Sequence, residues 1–202
     1  MTEPRSLLAG DKLNFDKVQC LIVDDNHMSL EILGNVCMSF GLRNITKAHS
    51  SDEAKAALNR QAYDLIMTDS QLPGLSGFDL IKWMRRDGPE SNRLAPVIMI
   101  TSHVRVSDVA RCRDCGAHFI LAKPVTPKIM LERLNWVARD DRVFIECSAY
   151  CGPDRRIKRE GPPPGIEGRR ADDLPLEIGE DSGDSMSQSE INALMKPSKV
   201  TL

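Results

Sequence analysis

Short apolar runs alternate with stretches of helical spacing along residues 18–138. The run from Val18 to Val23 predicts a buried strand that ends in two acidic residues, Asp24 and Asp25. Beyond it, Leu30, Leu33, Val36, Cys37 and Phe40 recur at helical spacing before Gly41, a natural helix stop. The pattern then repeats. Arg43 to Ala48 predicts a weak strand, Ser51 is expected to cap a helix that runs to about Arg60, and Leu65 to Thr68 reads as a buried strand ending at Asp69. A Pro/Gly loop at 72–77 leads into a helix from about Phe78 to Arg86 and a strand from Val97 to Thr101. A helix from about Val106 to Cys115 precedes Gly116, a strand spans Phe119 to Ala122, and Thr126 with Pro127 opens a last helix. Five such alternations predict an α/β fold, a doubly wound five-stranded parallel sheet.

In a sheet of this kind a ligand site lies beyond the carboxyl ends of the strands. Asp24, Asp25, Asp69, Thr101 and Lys123 all fall at those ends, so residues a hundred positions apart are expected to meet in one pocket. Three carboxylates gathered there would repel one another unless a hard cation joined them, which points to Mg²⁺ held by Asp24, Asp25 and Asp69. With its oxygens neutralised by the metal, a phosphoryl group could pass to Asp69 from a phosphohistidine or a small acyl phosphate. Lys123, followed by Pro124, would pair with a phosphoryl oxygen. The Thr101 hydroxyl would swing over to hydrogen-bond the same group, and that movement would be the switch.

LIVDDN at 21–26, DSQLPGLSG at 69–77, ITS at 100–102 and AKP at 122–124 follow one another in order. Together they resemble the signature of CheY-like response-regulator receiver domains over about residues 16–139. That resemblance implies a flavodoxin-like receiver, a signalling protein rather than an enzyme, with a histidine kinase or other phosphodonor as its source of phosphate. One position departs from the family pattern: three residues before the lysine, where an aromatic switch residue is usual, stands Ile120, and the neighbouring Phe119 is expected to face the other side of the strand.

Composition shifts sharply after the last helix. Residues 152–202 contain no aromatic residue and much Gly, Pro, Ser and Asp, so they cannot offset their ordering entropy with a core of their own. The expected organisation is a flexible N-terminus at 1–15, a receiver at 16–139 and a disordered tail at 140–202 carrying a short amphipathic helix at about 187–196. The net charge of -2 conceals segregation within that tail. Gly152 to Arg170 holds six Lys/Arg against three Asp/Glu, and Ala171 to Glu190 holds seven Asp/Glu and no Lys/Arg. A basic block beside an acidic one suits a compact anion better than DNA or RNA, which the acidic block would repel.

Arginine forks bind phosphate bidentately, pair with guanine and stack on bases. The spacing of Arg155 and Arg159, with Arg156 between them, and that of Arg169 and Asp172, with Arg170 and Asp173 alongside, resemble spacings in proteins that bind cyclic di-GMP. Tyr150 is a candidate stacking face, and Asp154, Asp172 and Asp173 are candidate acceptors for a guanine amino edge. In the C-terminal helix, Ser187 and Glu190 predict a capping box and Ile191, Leu194 and Met195 share one face. This stretch resembles the N-terminal peptide of the flagellar switch protein that CheY binds, so the chain could occupy its own docking face. The whole resembles the Cle-type subclass of CheY-like proteins, which bind cyclic di-GMP through an arginine-rich extension and act on the flagellar switch complex. An ordinary phospho-accepting chemotaxis or phosphorelay regulator with a passive tail remains the alternative.

No apolar stretch reaches the roughly 20 residues of a membrane span and no secretory signal is seen, so a cytoplasmic protein is expected, with the flagellar pole as its place of action. Six cysteines then read as reduced thiols, Cys20 and Cys37 as core residues. Cys112 with Cys115 and Cys147 with Cys151 offer a third reading, a structural zinc, against which stands the helical setting of the first pair.

Overall fold

Polar caps and apolar strands set the architecture, seen in a computed structural model that describes residues 14–102, 104–147, 149–154 and 186–195. The elements run β1 (Gln19–Val23), α1 (His27–Ser39), β2 (Asn44–Ala48), α2 (Ser51–Arg60), β3 (Leu65–Thr68), α3 (Gly77–Arg86), the single turn α4 (Glu90–Arg93) and β4 (Val97–Thr101). Then follow α5 (Val106–Asp114), β5 (Phe119–Ala122), α6 (Pro127–Ala138), β6 (Phe144–Glu146), β7 (Cys151–Pro153) and α7 (Gln188–Met195). Side chains of Asn26, Ser50, Ser76 and Thr126 cap α1, α2, α3 and α6 by accepting from backbone N–H groups in the first turn. The cap of α2 is thus Ser50, not Ser51. Ser51 is buried in the first turn, where its hydroxyl donates to Pro73 O and accepts from Leu75 N, tying α2 to the loop after β3.

The five strands pair in parallel in the order β2-β1-β3-β4-β5. Alternation along each strand divides the core into two layers. Leu21, Val23, Ile66, Met99 and Ile120 face α2, α3 and α5, whereas Cys20, Ile22, Met67, Ile98, Phe119 and Leu121 face α1 and α6. Phe119 and Ile120 therefore lie on opposite faces, as the strand period requires.

Two boundaries are corrected. Phe15 is buried against the second layer, so the folded part begins inside the stretch expected to be flexible. More substantially, residues 144–153 are not a tail but an antiparallel hairpin, β6 with β7, laid against α3. The buried Arg85 guanidinium holds the underlying surface, donating to Gly116 O and Arg93 O and lying 4.9 Å from the centre of the Phe144 ring. Arg86 donates to Ala149 O at 2.9 Å, and Arg93 pairs with Glu146. Three-residue strands are too short to leave a period in the sequence, and the anchoring arginines lie some sixty positions away. The sequence-based reading therefore had no local signal for them.

Candidate phosphoryl-transfer site

The carboxyl ends of β1, β3, β4 and β5 bring Asp24, Asp69, Thr101 and Lys123 together. The Lys123 ammonium donates to Asp24 Oδ2 at 2.5 Å and to Asp69 Oδ2 at 2.6 Å, so two carboxylates a strand apart converge on one cation. Burial works against the charged ammonium, but the hydrogen bonds to Asp24 and Asp69 outweigh it and hold the Lys123 pKa above its ordinary value.

Asp24 is buried and firmly oriented. Its Oδ1 accepts from Asn26 N at 3.0 Å and its Oδ2 also accepts from Ser29 Oγ at 2.5 Å. Asp69, 8% exposed, accepts from the Gln71 backbone N–H at 3.1 Å and from Ser70 Oγ at 3.4 Å through Oδ1. The loop behind it is pressed tight. A Cβ on Gly77 would stand 1.9 Å from Asp69 O, so only glycine lets α3 begin against the backbone of the acceptor residue.

Thr101 is buried, and its hydroxyl shares a 2.6 Å hydrogen bond with Ser70 Oγ. Asp69, Ser70 and Thr101 thus form a continuous hydroxyl–carboxylate chain. Ser70, Ser29 and the Gln71 amide were not foreseen; a hydroxyl adjoining a strand-end aspartate was the only hint, and such a residue is commonplace in loops.

Of the three expected carboxylates, those of Asp24 and Asp69 meet at the Lys123 ammonium. Asp25 is exposed while Asp24 points inward, and among the described residues no three His, Cys, Asp or Glu side chains gather closely enough to hold a metal. The donor set still suits Mg²⁺, because that ion keeps several waters and asks the protein for few oxygen ligands. Two strand-end carboxylates already converging on a cation supply such oxygens, and Asp25 stands at the adjoining rim.

Of the expected tail residues, Tyr150 is buried. Its hydroxyl donates to Pro153 O at 2.7 Å inside the hairpin, so the expectation of an open stacking face is corrected. Asp154 closes the hairpin through its backbone N–H to Val143 O. Arg155, Arg156, Arg159, Arg169, Arg170, Asp172 and Asp173 lie outside the described residues. The zinc reading gains nothing. Cys112 and Cys115 are buried in and after α5, and burial pushes the Cys115 thiol up to about 11 and that of Cys112 well above its ordinary value. Among the described residues no helix is long and apolar enough to cross a membrane.

The family model of the response regulator receiver domain matches residues 20–135. The chain is 27% identical to the chemotaxis protein CheY of Pseudomonas aeruginosa over 118 residues, which is 58% of this chain and 94% of that protein. It is 30% identical to CheY-3 of Vibrio cholerae over 118 residues, covering 58% of this chain and 89% of that one. Among solved structures, the receiver domain of a sensor histidine kinase from Pseudomonas aeruginosa, with a magnesium ion coordinated in its active-site cleft, superposes with a TM-score of 0.53. It is 28% identical and covers 60% of this chain and 98% of that one.

Proposed function

The chain belongs to the response regulator receiver family, and from that premise we propose that it is a two-input signalling protein, taking a phosphoryl group on Asp69 and binding cyclic di-GMP through its arginine-rich segment to regulate the flagellar motor. The observation that carries the first input is the Lys123 ammonium held between Asp24 and Asp69. Asp69 is the acceptor, Lys123 the charge that meets a phosphoryl oxygen, and Thr101 the hydroxyl that exchanges Ser70 for the arriving group. Asp24, Asp25 and Asp69 would hold Mg²⁺, which would supply charge neutralisation for the transferring oxygens. The donor is a histidine kinase or a small acyl phosphate.

The second input rests on the side-chain pattern. Arg155, Arg156 and Arg159 with Asp154, and Arg169 and Arg170 with Asp172 and Asp173, offer forks for two phosphates and carboxylates for guanine edges. The resulting complex acts in the cytoplasm, at the flagellar pole, by engaging the switch complex. Calorimetric titration of the full chain with cyclic di-GMP tests this reading. Binding is expected for the unaltered chain and for Asp69→Asn, and its loss is expected in the Arg155→Ala/Arg156→Ala variant. Absence of heat with the unaltered chain would leave a phospho-accepting regulator with a passive tail.

A further inference from the structure

The last described segment does not stand away from the receiver. It lies on β5 and α5. β5 is an edge strand, and an edge leaves backbone groups in need of partners. The Gln188 side-chain amide meets them as another strand would: its Oε1 accepts from Ala122 N at 2.8 Å and its Nε2 donates to Ile120 O at 3.5 Å. Asn192, one turn on, accepts from the same Nε2 at 3.0 Å and fixes the amide.

Ile191 follows Gln188 at the i+3 position and is fully buried, joining Val104, Val109, Cys112 and Ile120 in the core layer of α5. Just before the helix, Met186 N donates to Val104 O at 2.8 Å, and its side chain packs against the same layer. The helix start is fastened by Ser187 and Glu190, each side chain accepting from the other's backbone N–H. Among the described residues of this segment, Ser187, Ser189 and Glu190 are exposed.

A helix of eight residues is marginal alone in water, so its order depends on the surface beneath it. Among the described residues its attachment is made by the buried Ile191, the Gln188 amide, the Met186 side chain and one backbone bond, a hold small enough to exchange. What makes such a hold persist is covalent linkage, which turns docking into an intramolecular event at an effective concentration on the order of millimolar.

We propose that α7 is a tethered latch that fills the groove between β5 and α5 in cis, keeping closed the surface through which this receiver would engage a helix of another protein. The inference rests on the proposed docking function for the importance of that surface, but its test does not. It uses the chain's own segment, residues 185–196, as a fluorescent peptide, with neither phosphoryl donor nor cyclic dinucleotide present. In the full chain, Ile191→Asp places a charge where no space or partner exists and detaches the latch; Gln188→Ala loosens it without touching the core layer.

Peptide anisotropy is expected to show both variants binding the peptide, and the unaltered chain binding it at least about tenfold more weakly. A peptide carrying Ile191→Asp is expected not to bind any of the three. Circular dichroism establishes that each variant is folded, and should Ile191→Asp unfold, Gln188→Ala alone decides the matter. Equal peptide affinity for the unaltered chain and a folded variant would overturn the proposal, as would a folded variant that ignores the peptide. A doubled mass for the unaltered chain, lost in the variants, would overturn it too, by assigning α7 to a second copy.

Discussion

Lys123 shows how one side chain can hold a site together before its ligand arrives. It sits between two carboxylates belonging to β1 and β3, and its raised pKa records the strength of that arrangement. Because the folded-state value lies above the ordinary one, the contribution to stability is complete at neutral pH and is lost only as pH climbs through the raised value. The acid side is governed elsewhere. His118 is buried beneath Phe144, its Nδ1 accepts from Val97 N at 3.2 Å, and burial, aided by the charges of Arg85 and Arg142, drives its pKa down to about 3. The unfolded chain binds a proton at this residue near pH 6.5 that the folded chain refuses, so stability falls as pH drops from about 6.5 towards 3. Urea titrations across that interval are expected to show this decline, and a His118→Gln variant is expected to show a shallower one. Parallel slopes would place the acid sensitivity in other groups.

At the level of elements, two pieces added to the five-strand frame do different work. The β6–β7 hairpin is fastened by arginines: Arg85 reaches Gly116 O and Arg93 O from full burial, and Arg86 and Arg93 grip the hairpin itself. Replacing Arg85 with Met would leave two carbonyl groups without their donor, and a loss of about 2–4 kcal/mol is expected in denaturant unfolding. A change within a few tenths of a kcal/mol would mean that water replaces the guanidinium at no cost. The α7 segment, by contrast, is held through Ile191, the Gln188 amide and Met186. The sequence disclosed its helical face and its capping box because both are local. Its resting place was not disclosed by any local pattern, since that depends on the open edge of β5 and on the buried layer that Ile120 shares with Ile191. Likewise, the hairpin escaped notice because its strands are three residues long and its anchors are distant in sequence.

For the whole molecule, the parallel sheet was legible because buried strands, capped helices and stop signals agree with one another from Val18 to Ala138. Convergence of Asp24, Asp69, Thr101 and Lys123 followed from that topology alone, as strand ends in a doubly wound sheet share one rim. What topology could not supply was side-chain direction. Asp24 turns inward to Lys123 while Asp25 remains exposed, and Ser70 intercepts Thr101. These details decide how the site rests before phosphate arrives, and they give the account its most direct test. Full-length protein incubated with Mg²⁺ and acetyl phosphate can be weighed intact and then mapped by peptide mass spectrometry. The unaltered chain is expected to gain one phosphoryl group, located on Asp69; Asp69→Asn is expected to gain none, and Lys123→Ala to gain it far more slowly. An unaltered chain that never takes up phosphate, or an Asp69→Asn chain that takes up as much, would contradict the assignment of this pocket.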